Sequence, residues 1–159
     1  MKNIFQYSFK PAAGIIITML LFFTYTASYA GDCKAKKINL EKAFSNVELF
    51  GNVTVILTND GDNSFCVEAD PKDAERIKAD VANGKLRIDA RRTNKDTPAT
   101  IYLPAVQLES LQVNGNSFIT SKGKLNNSDL QILLNGVSKV RVASNAKINI
   151  KALDGFEME

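Results

Sequence analysis

From residue 38 onward, apolar and polar positions alternate along the chain instead of recurring at helical spacing. Val53, Val55 and Leu57 fall on one side of an extended segment, as do Phe65, Val67 and Ala69, and later Leu86, Ile88 and Ala90. A strand turns successive side chains to opposite faces, so each set is the buried face of a strand. Clusters of Asn, Asp, Gly and Ser separate the runs, and the pattern predicts an all-β domain. One segment departs from it. Asp70-Pro71-Lys72-Asp73-Ala74-Glu75-Arg76 places a capping residue before a Pro at the first helical position, which predicts a single helical turn. Asn83-Gly84 then predicts a type I′ hairpin, because that dipeptide tolerates positive φ at both central positions. Residues 91–98 contain no large apolar side chain and read as an exposed loop, followed by a strand from Ala99 to Leu103 that stops at Pro104.

The final third repeats itself. Leu111, Val113, Gly115, Ser117 and Ile119 match Ile132, Leu134, Gly136, Ser138 and Val140 at a constant offset of 21, with Asn114 and Asn135 before the glycines. A weaker copy follows around Ile148, Ile150, Leu153 and Gly155. A fixed period near 20 with a recurring Asn-Gly corner suggests stacked coils of a parallel β-solenoid, from about residue 105 to 155, preceded by a strand and hairpin region. An antiparallel meander would also alternate, but it has no reason to repeat Asn-Gly and Ser at one offset.

The N-terminus adds location to this picture. Lys2 and Lys10 precede an uncharged run whose core, Ala12 to Phe23, is mostly apolar and whose exit is Ser28-Tyr29-Ala30. Basic start, apolar core and small-residue exit read as a secretory signal peptide over residues 1–30, cleaved after Ala30, with residues 31–159 as one domain. An uncleaved anchor would need about 20 apolar residues, and Thr18, Thr24, Thr26 and Ser28 dilute the run. Lipidation at Cys33 is disfavoured because Asp32 stands directly before it.

Export changes the charge. The whole chain has 20 basic and 17 acidic residues, for +3. Cleavage removes two lysines and no acid, leaving +1 (18 against 17), which offers little field to attract nucleic acid. Export also changes the two cysteines, since an even count in an oxidising compartment suggests a disulfide, here Cys33–Cys66, the alternative being two reduced thiols with Cys66 a small buried hydrophobe.

Candidate chemistry is sparse. The chain has no His, which removes Ser-His-Asp and Cys-His systems and His-ligated zinc. No cofactor is implied. Asn59-Asp60-Gly61-Asp62-Asn63 collects oxygen ligands but lacks the spacing of a Ca²⁺ loop and reads as a solvated turn. Arg87, Arg91, Arg92 and Lys95 form the main basic cluster, a candidate surface for anionic glycans or headgroups. Among the coils, Glu109, Asp129 and Asp154 are the chief acids, and nothing shows the defined separation that a carboxylate pair needs. The Asn and Ser residues of the coils offer a polar face for sugars, or simply supply corner and backbone hydrogen bonding.

The segments Phe44 to Val55, Val81 to Ile88 and Ile101 to Gly115, with Pro104, Leu108 and Leu111 leading into the first coil and spaced Gly-x-Ser coils after it, resemble the putative auto-transporter adhesin head GIN domain family. The resemblance spans Phe44 to Gly155. It implies a right-handed parallel β-helix-like fold, export to the envelope as in the many Bacteroidetes members, and no catalytic residues to carry over. Many relatives continue past the third coil, and the auto-transporter label implies no translocator barrel in this chain. The expected function is therefore a non-enzymatic envelope domain acting in adhesion or another surface interaction, with an envelope or extracellular partner such as a glycan and self-association through the open solenoid end. The alternatives are a small carbohydrate-active β-helix enzyme and a structural periplasmic protein without its own ligand.

Overall fold

The computed structural model describes residues 36–126 and 129–158. The expected signal peptide and Cys33 lie outside the described residues. The elements follow in chain order as β1 (Lys36–Asn39), β2 (Asn46–Phe50), β3 (Val53–Thr58), β4 (Ser64–Glu68), α1 (Pro71–Arg76), β5 (Lys78–Ala82) and β6 (Lys85–Asp89). After a loop come β7 (Ala99–Pro104), β8 (Ser110–Asn114), β9 (Ser117–Leu125), β10 (Asp129–Asn135), β11 (Ser138–Ser144), β12 (Lys147–Ala152) and β13 (Phe156–Met158). Apart from the short α1 the described chain is all-β. The local expectations hold: α1 starts at Pro71 with Asp70 as its N-cap residue, though no cap bond forms from that side chain. Asn83 and Gly84 both take positive φ, 52° and 73°, between antiparallel β5 and β6.

Two mixed sheets enclose one core. The larger runs β1-β4-β7-β3-β9-β11-β13 and the smaller β12-β10-β8-β2-β6-β5. The pairs from β7 through β13 in one sheet and from β6 through β12 in the other are parallel, while β1, β4 and β5 join antiparallel. Parallel pairing in register stacks like on like. Val67, Ile101, Val55, Ile119 and Val140 form one interior row of the larger sheet. Ile88, Leu49, Val113 and Leu134 form another in the smaller. All nine are nearly inaccessible, and each contributes on the order of 1.5–3 kcal/mol by leaving water.

The offset of 21 is a physical register. Leu111 lies beside Ile132, Val113 beside Leu134, and Ser117 beside Ser138. The next copy pairs at 18 instead, with Ile132 beside Ile150 and Leu134 beside Ala152. The N-terminal part contains the strand β1 and the β5–β6 hairpin, and the parallel stacking also takes in strands before residue 105. β2 and β3 sit inside the sheets, β2 between β6 and β8 and β3 between β7 and β9. Their alternation matches that of the later coils, so later strands cover them on both sides.

Candidate functional site

The Asn and Ser positions of the coils turn out to be corner work. Three of the crossings from the smaller sheet to the larger, β2 to β3, β8 to β9 and β10 to β11, pass a glycine, Gly51, Gly115 and Gly136, with φ of 117°, 142° and 141°. A Cβ on Gly115 would lie 2.3 Å from the Gly51 carbonyl oxygen, and one on Gly136 2.6 Å from that of Gly115. The corners therefore stack backbone on backbone. Beside them the Asn135 amide donates to Asn114 Oδ1 (2.6 Å), and the buried hydroxyls of Ser117 and Ser138 share a hydrogen bond (2.9 Å). At the far corners Asn59 Oδ1 accepts from the Asn126 N–H (3.0 Å) while its Nδ2 donates to the Lys124 carbonyl (2.8 Å). That places the start of the Asn59–Asn63 turn in a structural ladder, and Asp62 pairs with Lys37 at 3.2 Å. Among the described residues no cluster of three or more His, Cys, Asp or Glu forms. Glu109, Asp129 and Asp154 are exposed.

The basic cluster divides. Arg87 lies 4.5 Å and Arg91 5.3 Å from the ring centroid of Phe50 on the outside of the smaller sheet. Arg91 also grips Asp89, its Nε donating at 3.0 Å and its Nη2 to the second oxygen. The hydrogen bonds from Arg91 hold the Asp89 carboxyl at about 2, below its ordinary 3.8 and against the opposing effect of burial. Arg92 lines a separate hollow beside α1 with Lys72 and Arg76. Buried Asp73 closes that region, accepting from Arg76 (3.3 Å) and from the Asn94 N–H (2.9 Å). Lys95 lies over the larger sheet and shares with Arg91 a small hollow beside Gly51 and Gly115.

Cys66 is buried on β4, opposite Lys37 on β1 and Tyr102 on β7. The Tyr102 hydroxyl donates to Glu68 (2.8 Å), and this bond, with burial second, raises its pKa above the usual 10.

What sequence reasoning missed is the outer face of the larger sheet. The register places Glu68, Thr100, Thr54, Phe118, Lys139 and Glu157 in one row across it, and Cys66, Tyr102, Ile56, Thr120 and Arg141 in the next. Phe118 is half-buried in a groove of about 600 Å³, whose lining includes Asn52, Lys95, Pro98, Asn116 and Lys139. Asn52 and Asn116 spend their oxygens on the corners: Asn52 Oδ1 accepts from the Asn116 N–H and Asn116 Oδ1 from the Val137 N–H, both at 3.2 Å. Their amide nitrogens are left to the groove. The signal was present as the outward alternation of Thr54, Thr100 and Phe118, but assembling it requires the strand order β7-β3-β9.

The described residues form an all-β domain of two mixed sheets with a laddered interior. Residues 43–155 match the family described as "Putative auto-transporter adhesin, head GIN domain", and the chain belongs to that family. It is similar to the crystal structure of a putative adhesin from Bacteroides fragilis, at 11% identity and a TM-score of 0.35, over 78% of this chain and 95% of that one. None of the curated proteins matches the chain. No helix of the described residues is long and apolar enough to cross a membrane.

Proposed function

We propose that this protein is an exported, non-enzymatic interaction module of the cell envelope, adhesin-like in action. Its membership of the adhesin head family over residues 43–155 carries the reading. Several polar side chains serve the scaffold, which suits a domain that presents surfaces. Asp89 is held by Arg91, Asp73 by Arg76 and the Asn94 N–H, and the coil asparagines and serines by the corners. On this reading residues 1–30 are removed at Ala30, and the parallel strands are successive coils of a right-handed solenoid. Cys66 pairs with Cys33, which lies four residues before its neighbour Lys37. The end bearing β12 and β13 exposes Leu153 and Met158 and leaves Ile148 and Ile150 half-covered, which suits contact with a second copy.

The test follows the full-length chain in cells. Edman sequencing should begin at Gly31, protease shaving of intact cells should remove the protein, and a deletion strain should attach less to a surface its parent colonises. A cytoplasmic protein with an intact N-terminus, or unaltered attachment of the deletion strain, would overturn the reading. Thiol counting on unfolded exported protein should find none. Sedimentation velocity should show concentration-dependent association, and a strict monomer at all concentrations would remove the self-contact.

A further inference from the structure

The geometry points to a binding site for an acidic polysaccharide in the groove around Phe118. This inference rests on the surface-interaction reading and assigns it a place and a ligand class.

The groove's floor and walls come from three strands and one loop. Phe118 on β9 lies between Thr54 of β3 and Lys139 of β11. The 91–98 loop brings Lys95 and Pro98 over one side. A half-exposed aromatic ring beside a proline is an apolar platform of the size of a pyranose ring, and such a ring prefers a partner with one apolar face and a polar edge. The polar groups around it are mostly donors. Asn52 and Asn116 present amide nitrogens because their oxygens are engaged at the corners, and Lys95 and Lys139 present ammoniums. Lys95 makes no ion pair among the described residues, whereas Lys139 meets the exposed Glu157 at 3.8 Å, a loose surface pair. Glu157 is the one carboxylate in the groove lining.

A donor-rich rim around an aromatic ring selects a ligand that combines a ring face with anionic acceptors. Uronic-acid residues of a polysaccharide have that chemistry, since each carboxylate can take charge-assisted hydrogen bonds from a lysine and an amide while the sugar face lies on Phe118. A neutral glycan would leave the Lys95 ammonium without a counter-charge. The groove's volume lies within the roughly 300–1,000 Å³ of ordinary ligand clefts, enough for a short stretch of chain. Its open form suits the side of a polymer. Rim charges act through solvent, so binding should weaken with salt.

The experiment uses the full-length chain, expressed with its own N-terminus and purified from the compartment it reaches. Affinity electrophoresis and titration calorimetry compare polygalacturonate with neutral dextran. The expected result is retardation by polygalacturonate alone, weakened about fivefold or more between about 50 and 500 mM salt. Phe118→Ala and Lys95→Gln should each weaken it at least fivefold, Phe118→Tyr should retain it, and Arg92→Ala, in the separate hollow, should leave it unchanged. Circular dichroism checks that the variants remain folded. Equal retardation by dextran, no retardation by polygalacturonate, or full binding by folded Phe118→Ala and Lys95→Gln overturns the assignment. A protein that mediates attachment but ignores polygalacturonate sinks the ligand class alone. A protein that is not exported, or whose deletion leaves attachment unaltered, sinks the broader reading.

Discussion

Substituting alanine for Gly115 attacks the corner where the two sheets exchange the chain. Its φ of 142° is one that residues with a Cβ rarely adopt, at a cost of about 1–3 kcal/mol. The added Cβ would also stand 2.3 Å from the Gly51 oxygen, closer than any real contact, and that neighbour is backbone that cannot rotate aside. Relief requires the corners to separate. Two hydrogen bonds then weaken, Gly51 N–H to the Asn114 carbonyl (3.0 Å) and Gly115 N–H to the Asn135 carbonyl (2.8 Å), each worth about 0.5–1.5 kcal/mol. The total is about 4 kcal/mol, a large part of the roughly 5–15 kcal/mol that holds a domain folded. It should appear as a fall in Tm on the order of 15 °C. The control is Gly84→Ala at the hairpin, where φ is also positive but nothing lies within 4 Å of the new methyl. There only the left-handed backbone cost of about 1–2 kcal/mol applies. Urea unfolding followed by circular dichroism measures both. If the two variants lose equal stability, corner stacking is not what makes glycine necessary at 115.

Asp73→Ala should cost about 2 kcal/mol, because it removes an acceptor of both Arg76 and the Asn94 N–H. Hydrogen exchange at Asn94 and proteolysis within residues 91–98 should accelerate well before global unfolding does. Arg91→Ala should return the Asp89 carboxyl from about 2 toward its ordinary 3.8, read by NMR titration. The folded value is depressed, so the Asp89 contribution is present above about pH 4 and lost as pH falls toward 2. The variant should flatten that part of the stability curve. Ser117→Ala and Ser138→Ala should each cost about 1 kcal/mol in chemical denaturation, and the double variant should cost less than their sum, since the second change removes a hydroxyl already deprived of its partner.

Much of this fold is legible in the chain because parallel stacking repeats local patterns. Val53, Val55, Leu57, Leu86 and Ile88 are core residues whatever the strand order, since alternation alone assigns their face. The match of Leu111 to Ile132 becomes a strand pairing because in-register neighbours must have similar shapes. Strand order is different. Nothing local in Val47, Leu49, Val53 or Val55 says that β6 and β7 will lie on one side of them and β8 and β9 on the other. The same nonlocality hid the groove, where Phe118, Asn52 and Lys95 meet from three separated segments. The basic cluster divides for a related reason. Its residues are neighbours in sequence, yet Arg87 and Arg91 settle on Phe50 and Asp89, Arg92 faces α1 and Lys95 alone faces the groove.

The corner ladder also determines where variation in function can occur. Interior rows must match in size from coil to coil, and the corner column tolerates only glycine or a residue such as Ala90, whose backbone lies 2.7 Å from where a Cβ of Gly51 would stand. The Asn and Ser residues next to it bond to neighbouring coils, so replacing them weakens the stack before it alters a ligand. Outward positions between corners carry neither constraint. Phe118 and Lys139 share one register position in adjacent parallel strands, a ring beside a cation, while their inward neighbours Ile119 and Val140 stay aliphatic. A stack of in-register parallel strands can thus hold its core and corners constant and change chemistry at every second residue of its outer face. On the proposed reading, binding specificity lies at those alternate outward positions, together with the amide nitrogens that the corner residues Asn52 and Asn116 leave to the groove.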